Sequence, residues 1–258
     1  MILYKYYPCN EYTFRALSEM GLWCSPTSNM NDPFDCLGDL EAQLDDLHKD
    51  DIIRQFRDTL TKIRPDYKYF EWPHLVNLIS STRKKIIEGS IFCSLTENQY
   101  SNVMWAHYAN SHKGIVIGLE LPDKAGEGGG ALQKIHYTDT PPIFDPKHYL
   151  NMLKSHELTQ TAEITSEQYE SILNIVKSIS VKTLDWNYED EWRYWALSDP
   201  EPKYRNYEKE QLKSVYFGLR CPQETKTLVK SILRGHGVSD DVYHDIKVKT
   251  DPKIELYV

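Results

Sequence analysis

The chain has 258 residues, 30 Lys and Arg against 38 Asp and Glu, a formal charge of −8 and 40% hydrophobic residues. At this length folding hides roughly 70–75% of the unfolded surface, so a metal or disulfide staple is not needed. No window approaches the ~20 uninterrupted apolar residues of a membrane helix, and five scattered cysteines without a C-x2-C pair suggest neither a zinc knuckle nor a disulfide framework.

Met1–Tyr7 is a short β-prone run that lacks the long apolar stretch of a signal peptide, so a cytoplasmic protein is expected. Asn10 and Thr13 are caps for a helix through Met20 that Gly21 ends, and Leu22–Cys24 reads as a strand. Ser25–Phe34 is dense in Ser, Asn, Asp and Pro, whose side chains bond their own backbone, and predicts a long shaped loop. Apolar positions Leu40, Leu44, Leu47, Ile52, Ile53, Phe56 and Leu60 recur at a helical period over 39–63, and a further helix runs from His74 to about Ile87. These helices form an insertion at about 39–90 in an otherwise single α+β domain, 1–258.

Ile91–Leu95 is then a strand, Ser101–Asn110 a short helix, and Gly114–Glu120 a strand whose continuous apolar run suggests burial on both faces. Gly126–Gly130 lacks the Lys-Ser/Thr of a phosphate loop and reads as a turn. Gln133–Tyr137 returns as a strand, 148–155 and 166–184 as helices and Trp192–Leu197 as a strand. Lys213–Gly218, a helix over 223–234, then Asp245–Val248 and Ile254–Val258 complete an α+β pattern.

Two stretches carry candidate chemistry. In Trp186–Arg193, an extended backbone would put Glu189 and Glu191 on one face, where like charges repel unless a cation offsets them or the charge serves a reaction. One such reaction is N-glycosidic cleavage, in which a carboxylate stabilises an oxocarbenium-like centre. The plainer alternative is an ion pair between one of them and Arg193 or a lysine. In Val103–Gly114, Met104, His107 and Tyr108 fall on neighbouring helix faces beside Trp105. His107 can carry a proton or bind a pyrophosphate, and Lys113 precedes a glycine where backbone can approach an anion; as plain structure, Trp105 is core and His107 a bonded half-buried histidine. His107 and His112 lie five apart rather than four, so no metal is expected.

With Tyr4–Tyr6, Leu22–Pro26, Asn31–Phe34, Phe92–Leu95, Met104–Tyr108, His112–Gly114, Trp186, Glu189–Arg193 and Val215–Gly218 in this order, the sequence resembles the bacterial domain-of-unknown-function family 2971 (DUF2971). Its layout also resembles that of ADP-ribosyltransferases, two small packed sheets that hold NAD between them. That resemblance implies a first-strand position at Tyr4, Lys5 and Tyr6, a second motif at Ser94 and a third at Glu191. Lys5 stands where a His or Arg is usual, and an ammonium copies neither a guanidinium fork nor a neutral imidazole.

The implied function is NAD-dependent mono-ADP-ribosyl transfer by a toxin or phage-defence effector, with NAD as co-substrate, a macromolecular acceptor and a cognate antitoxin or inhibitor. Glu191 would stabilise the charge on the anomeric carbon and Glu189 orient or deprotonate the nucleophile. Lys5, Arg193 or Lys113 would neutralise pyrophosphate and an aromatic ring would stack on nicotinamide, while Asn31, Asp32 and Phe34 shape the cleft or receive the acceptor. On this reading Glu191→Gln abolishes transfer at an ordinary stability cost of about 1–2 kcal/mol. The competing readings are a nuclease or phosphodiesterase with Glu189, Glu191, Asp32 and His107 around Mg2+, and a non-enzymatic nucleotide sensor. The acidic balance tilts the acceptor slightly away from nucleic acid.

Overall fold

The computed structural model describes residues 1–30, 48–122, 130–140, 145–159, 166–196 and 203–247. The expectations for Asn31, Asp32 and Phe34, for the helical period before residue 48, for the turn over 126–129 and for a last strand over 254–258 lie outside these residues. The chain is mixed α+β and divides into two compact units. The first takes Met1–Pro26, Ile91–Lys134 and the described residues from Asp185 on, and the second takes Thr27–Ser90 and Ile135–Leu184.

The first unit is built on β1 (Ile2–Tyr7), β2 (Gly21–Pro26), β3 (Ile91–Thr96), β4 (Ile115–Glu120) and β5 (Gly130–Lys134). To these the later chain adds β8 (Glu191–Ala196), β9 (Lys203–Asn206), β10 (Leu212–Phe217) and β11 (Tyr243–Asp245). They form one nine-stranded sheet with path β11-β10-β4-β1-β3-β2-β9, and β8 joins β3 to β5. Its pairs are antiparallel except β10 with β11.

On β3, the edge opposite β8 is shared: β1 meets it at Tyr4↔Thr96, while β2 meets it at Ser25↔Phe92 and Pro26↔Ile91. Two strands therefore take opposite ends of one edge, and Cys93–Leu95 face the space between them.

One face of this sheet packs on helices α1 (Glu11–Ser18) and α7 (Gln223–Gly235). Leu3, Tyr7, Ile115, Ile117, Leu119, Val215 and Phe217 join Ala16, Leu17, Val229 and Leu233 in a common core. The cap on α1 is the expected one, Asn10 Oδ1 accepting from the Thr13 N–H at 3.1 Å. The helix nevertheless stops at Ser18, and Met20 rather than Gly21 takes the left-handed conformation, φ 47°.

On the other face α4 (Asn102–Tyr108) brings Met104 and Trp105 onto Tyr6 and Val116. This helix is followed by an unusual turn. Asn110, Ser111 and His112 are all left-handed, with φ of 48°, 54° and 69°, a conformation that costs an L-residue roughly 1–2 kcal/mol. Backbone bonds lock it: Ser111 N–H to the Ala106 carbonyl at 3.1 Å, His112 N–H to Trp105 at 3.1 Å and Gly114 N–H to Ala109 at 2.8 Å. Exposed Ser111 is the simplest place to relieve the strain. Ser111→Gly is expected to stabilise by about 0.5–1 kcal/mol, read as a rise of about 1–4 °C in the thermal midpoint.

The second unit holds α2 (Lys49–Leu60), α3 (Trp72–Glu88), α5 (Lys147–Thr159) and α6 (Ser166–Ile179). Ile53, Phe56 and Leu60 of α2 share a core with Leu75 and Ile79 of α3, Tyr149 and Leu150 of α5, and Ile175 of α6. The helices of the expected insertion thus pack with later chain as well as with each other. The helix expected over 166–184 ends at Ile179. There the Ser180 hydroxyl donates to the Val176 carbonyl at 2.7 Å, and Val181–Lys182 (β7) pairs in parallel with His136–Tyr137 (β6).

Candidate functional site

The site is laid out by strand register in the first unit. Directly opposed residues of paired strands share a face, so Tyr4↔Thr96 and Thr96↔Glu191 put Tyr4, Thr96 and Glu191 in one row across β1, β3 and β8. The next row pairs Ser94 with Arg193. In the other direction Tyr4 lies opposite Gly118, Gly118 opposite Ser214, and Val116 opposite Tyr216. Tyr4, Ser94, Glu191, Arg193, Ser214 and Tyr216 therefore belong to the face that α4 crosses.

Gly118 shapes this face by what it lacks. A Cβ there would come within 2.8 Å of Tyr4 Cε1 and closer still to Ser214 Oγ, so the missing side chain lets the Tyr4 ring lie over the sheet. Tyr4 then makes an edge contact with Tyr216 at 6.2 Å between ring centroids. Tyr216 also meets Tyr100 at 5.8 Å and His244 at 5.1 Å. Burial, followed by the neighbouring Tyr100 and Tyr4, pushes the Tyr216 hydroxyl up to about 12, so it remains a donor at neutral pH. The result is a half-buried aromatic surface with polar tips.

The two glutamates do not stand as the extended backbone would place them. Glu189 ends a 3-10 helix, Leu184–Glu189, and Asp190 is left-handed with φ 41° before Glu191 opens β8. The pair is therefore not two steps along one strand, and each carboxylate has its own partner. Tyr108 Oη donates to Glu189 Oε1 at 2.5 Å, and Glu189 is 5% exposed. Glu191 takes both bonds of one guanidinium, from Arg193 Nε to Oε1 at 2.9 Å and from Nη2 to Oε2 at 3.1 Å. Exposure is 2% at Glu191 and 0% at Arg193, whose guanidinium also lies 4.4 Å from the Phe92 ring centroid. The ion-pair alternative thus describes Glu191. The burial of this pair raises the cost expected of Glu191→Gln to about 3–5 kcal/mol, the scale of removing one partner of a buried ion pair.

The turn at Asp190 is pinned by residues that motif reading did not single out. Lys134 Nζ lies 3.1 Å from both Glu97 Oε1 and Asp190 Oδ1, and Trp192 Nε1 donates to Glu97 at 2.7 Å. Burial pushes the Glu97 carboxyl up, but the Lys134 and Trp192 bonds outweigh it and hold the group below its ordinary value. The stability this adds is present above the unfolded carboxylate value and is lost as pH falls through the depressed one. Their only sequence signal is charge at strand ends.

Of the other expected contacts, Trp105 is fully buried and its indole N–H donates to the Gln99 carbonyl at 2.8 Å. Tyr6 meets it edge-on at 5.3 Å, and its hydroxyl donates to the Asn98 carbonyl at 2.8 Å. Both are packing residues with their polar tips bonded to backbone. His107 is exposed at the rim, 6.5 Å from the Tyr188 ring, which lies 6.1 Å from Trp186. The N–H groups of Ser111, His112, Lys113 and Gly114 are all bonded within the left-handed turn, so an anion there would meet the exposed Lys113 side chain and not the backbone. Lys5 shares the strand period of Leu3 and Tyr7, on the sheet's other face, and its ammonium bonds the Ser94 carbonyl at 2.8 Å. Among the described residues no group of three or more His, Cys, Asp or Glu is placed to hold a metal ion, and no helix is long and apolar enough to cross a membrane.

The fold and site define a mixed α+β protein whose sheet carries an aromatic, carboxylate-bearing face. Residues 104–194 match the family model described as Protein of unknown function (DUF2971), and over that segment the family resemblance read from the sequence is shown. The matched segment includes the Met104–Gly114 and Trp186–Arg193 blocks; Tyr4–Tyr6, Phe92–Leu95 and Val215–Gly218 lie outside it. No curated protein and no solved structure matches the chain.

Proposed function

We propose that the chain is an NAD-consuming mono-ADP-ribosyltransferase with an ADP-ribosyltransferase-like arrangement of its sheet, acting on a macromolecule as a toxin or phage-defence effector. The observation that carries this reading is the register that puts Tyr4, Ser94 and Glu191, from three separated parts of the sequence, on one face of adjacent strands.

Cleaving the nicotinamide–ribose bond builds positive charge at the anomeric carbon. Fixed carboxylates beside it stabilise that charge more than the ground state. In this reading Arg193 keeps Glu191 ionised and in one plane, while Tyr108 orients Glu189 towards the incoming nucleophile. Tyr4 and Tyr216 offer faces for a planar ring.

The test incubates purified protein with NAD labelled in its adenylate half, bacterial lysate and EDTA. Free nicotinamide and a labelled macromolecule are expected, since none of these side-chain roles needs a divalent ion. Intact NAD after prolonged incubation would remove the reading, and turnover abolished by EDTA would favour the nuclease class.

A further inference from the structure

The face of the sheet opposite the proposed dinucleotide site holds a cluster rich in hydrogen-bond donors and poor in acceptors. It sits beside the open edge of β3 between β1 and β2. The hydroxyls of Tyr7 and Tyr207 are buried there with no hydrogen-bond partner, in residues 7% and 6% exposed. Both tyrosines belong to the buried cluster that also holds Cys24 and Cys93. Those thiols donate to the Leu22 and Ser94 carbonyls, each at 3.7 Å.

Lys5 is two residues before Tyr7 on the same strand face. Its ammonium bonds the Ser94 carbonyl and lies against Cys93, and among the described residues no carboxylate pairs with it. Glu191, also near Cys93, already holds the Arg193 guanidinium.

Buried polar groups in folded proteins are nearly always satisfied, so unpartnered ones call for a missing partner. An ammonium has three donors and a phenol one. Two orphaned phenols and a half-buried cation lacking a counter-ion share one need, an acceptor that carries negative charge. A second amide or carbonyl would offset the hydroxyls but not the charge. We propose that Lys5, Tyr7 and Tyr207 bind one small anion of halide size inside the first unit, apart from the dinucleotide face and independent of the reaction assigned to it.

Bromide reports on this directly. Crystals of the full chain grown in bromide are expected to show an anomalous peak between the Lys5 ammonium and the Tyr7 hydroxyl. In solution, the thermal midpoint should rise saturably with bromide or chloride over gluconate at matched ionic strength, and the rise should vanish in Tyr7→Phe/Tyr207→Phe. Because stability enters that comparison only as a difference between salts, the variant remains informative if its own midpoint moves. Density for water alone, no anomalous peak at the cluster, or a halide-specific rise as large in the double variant would each overturn the proposal.

Discussion

Replacing Arg193 by methionine is expected to lower the free energy of unfolding by about 3–5 kcal/mol, measured by urea denaturation. The guanidinium is fully buried, bonds both oxygens of Glu191 and lies over the Phe92 ring, so its loss removes two charge-assisted bonds from a carboxylate that is itself 2% exposed. The double variant Glu191→Met/Arg193→Met removes both charges and keeps similar volume. It should recover most of the loss, since apolar replacement of a whole buried pair is often neutral or stabilising. A cost below about 1 kcal/mol for Arg193→Met alone would mean the pair is wet and exchanging in solution.

The same double variant separates two roles for Glu191. A glutamate kept only to neutralise Arg193 is dispensable once the arginine is gone, and nicotinamide release would persist at the parent rate. A glutamate that acts on the ribose is not dispensable, and release is expected to be lost from a folded protein. The single Glu191→Gln change cannot make this distinction, because its stability cost and its chemical cost arrive together.

Much of the α+β framework was legible because its strands carry strong local signals. The apolar run Ile115–Leu119 reads as a strand buried on both faces, and it pairs with β1 on one side and β10 on the other. β9 escaped notice because Lys203–Asn206 has one aromatic among polar residues and is held only as the edge partner of β2. The common face of Tyr4, Ser94 and Glu191 follows from pairing between strands distant in sequence, which no local period encodes.

The misplacement of Glu189 against Glu191 has a different origin. Asp190 at φ 41° breaks the extended backbone between Glu189 and Glu191, and an aspartate in the left-handed region gives little warning in a single sequence. Its support from Lys134 and Glu97 is tertiary. At Trp105 the sequence left both a ligand surface and a core position open, and burial favours the core: the indole is fully buried and spends its one donor on the Gln99 carbonyl.

Glu189→Gln is expected to lower the rate of nicotinamide release by about 10²–10³, the scale of removing one fixed electrostatic contact from a developing charge. Glutamine keeps the shape and can still accept from Tyr108, so the fold should tolerate it better than any change at Arg193. Tyr108→Phe leaves the carboxylate charge in place and removes its 2.5 Å phenol bond. A hydrogen bond to a charged group is worth about 1.5–3 kcal/mol, which as a loss of orientation converts to roughly ten- to hundredfold in rate. The two variants should therefore rank Glu189→Gln below Tyr108→Phe in turnover, and the double variant should be no slower than Glu189→Gln, because the tyrosine acts through the glutamate. Additive losses would assign Tyr108 its own contact with substrate. Turnover unchanged in folded Glu189→Gln would leave that carboxylate a structural partner of α4 and take it out of the reaction.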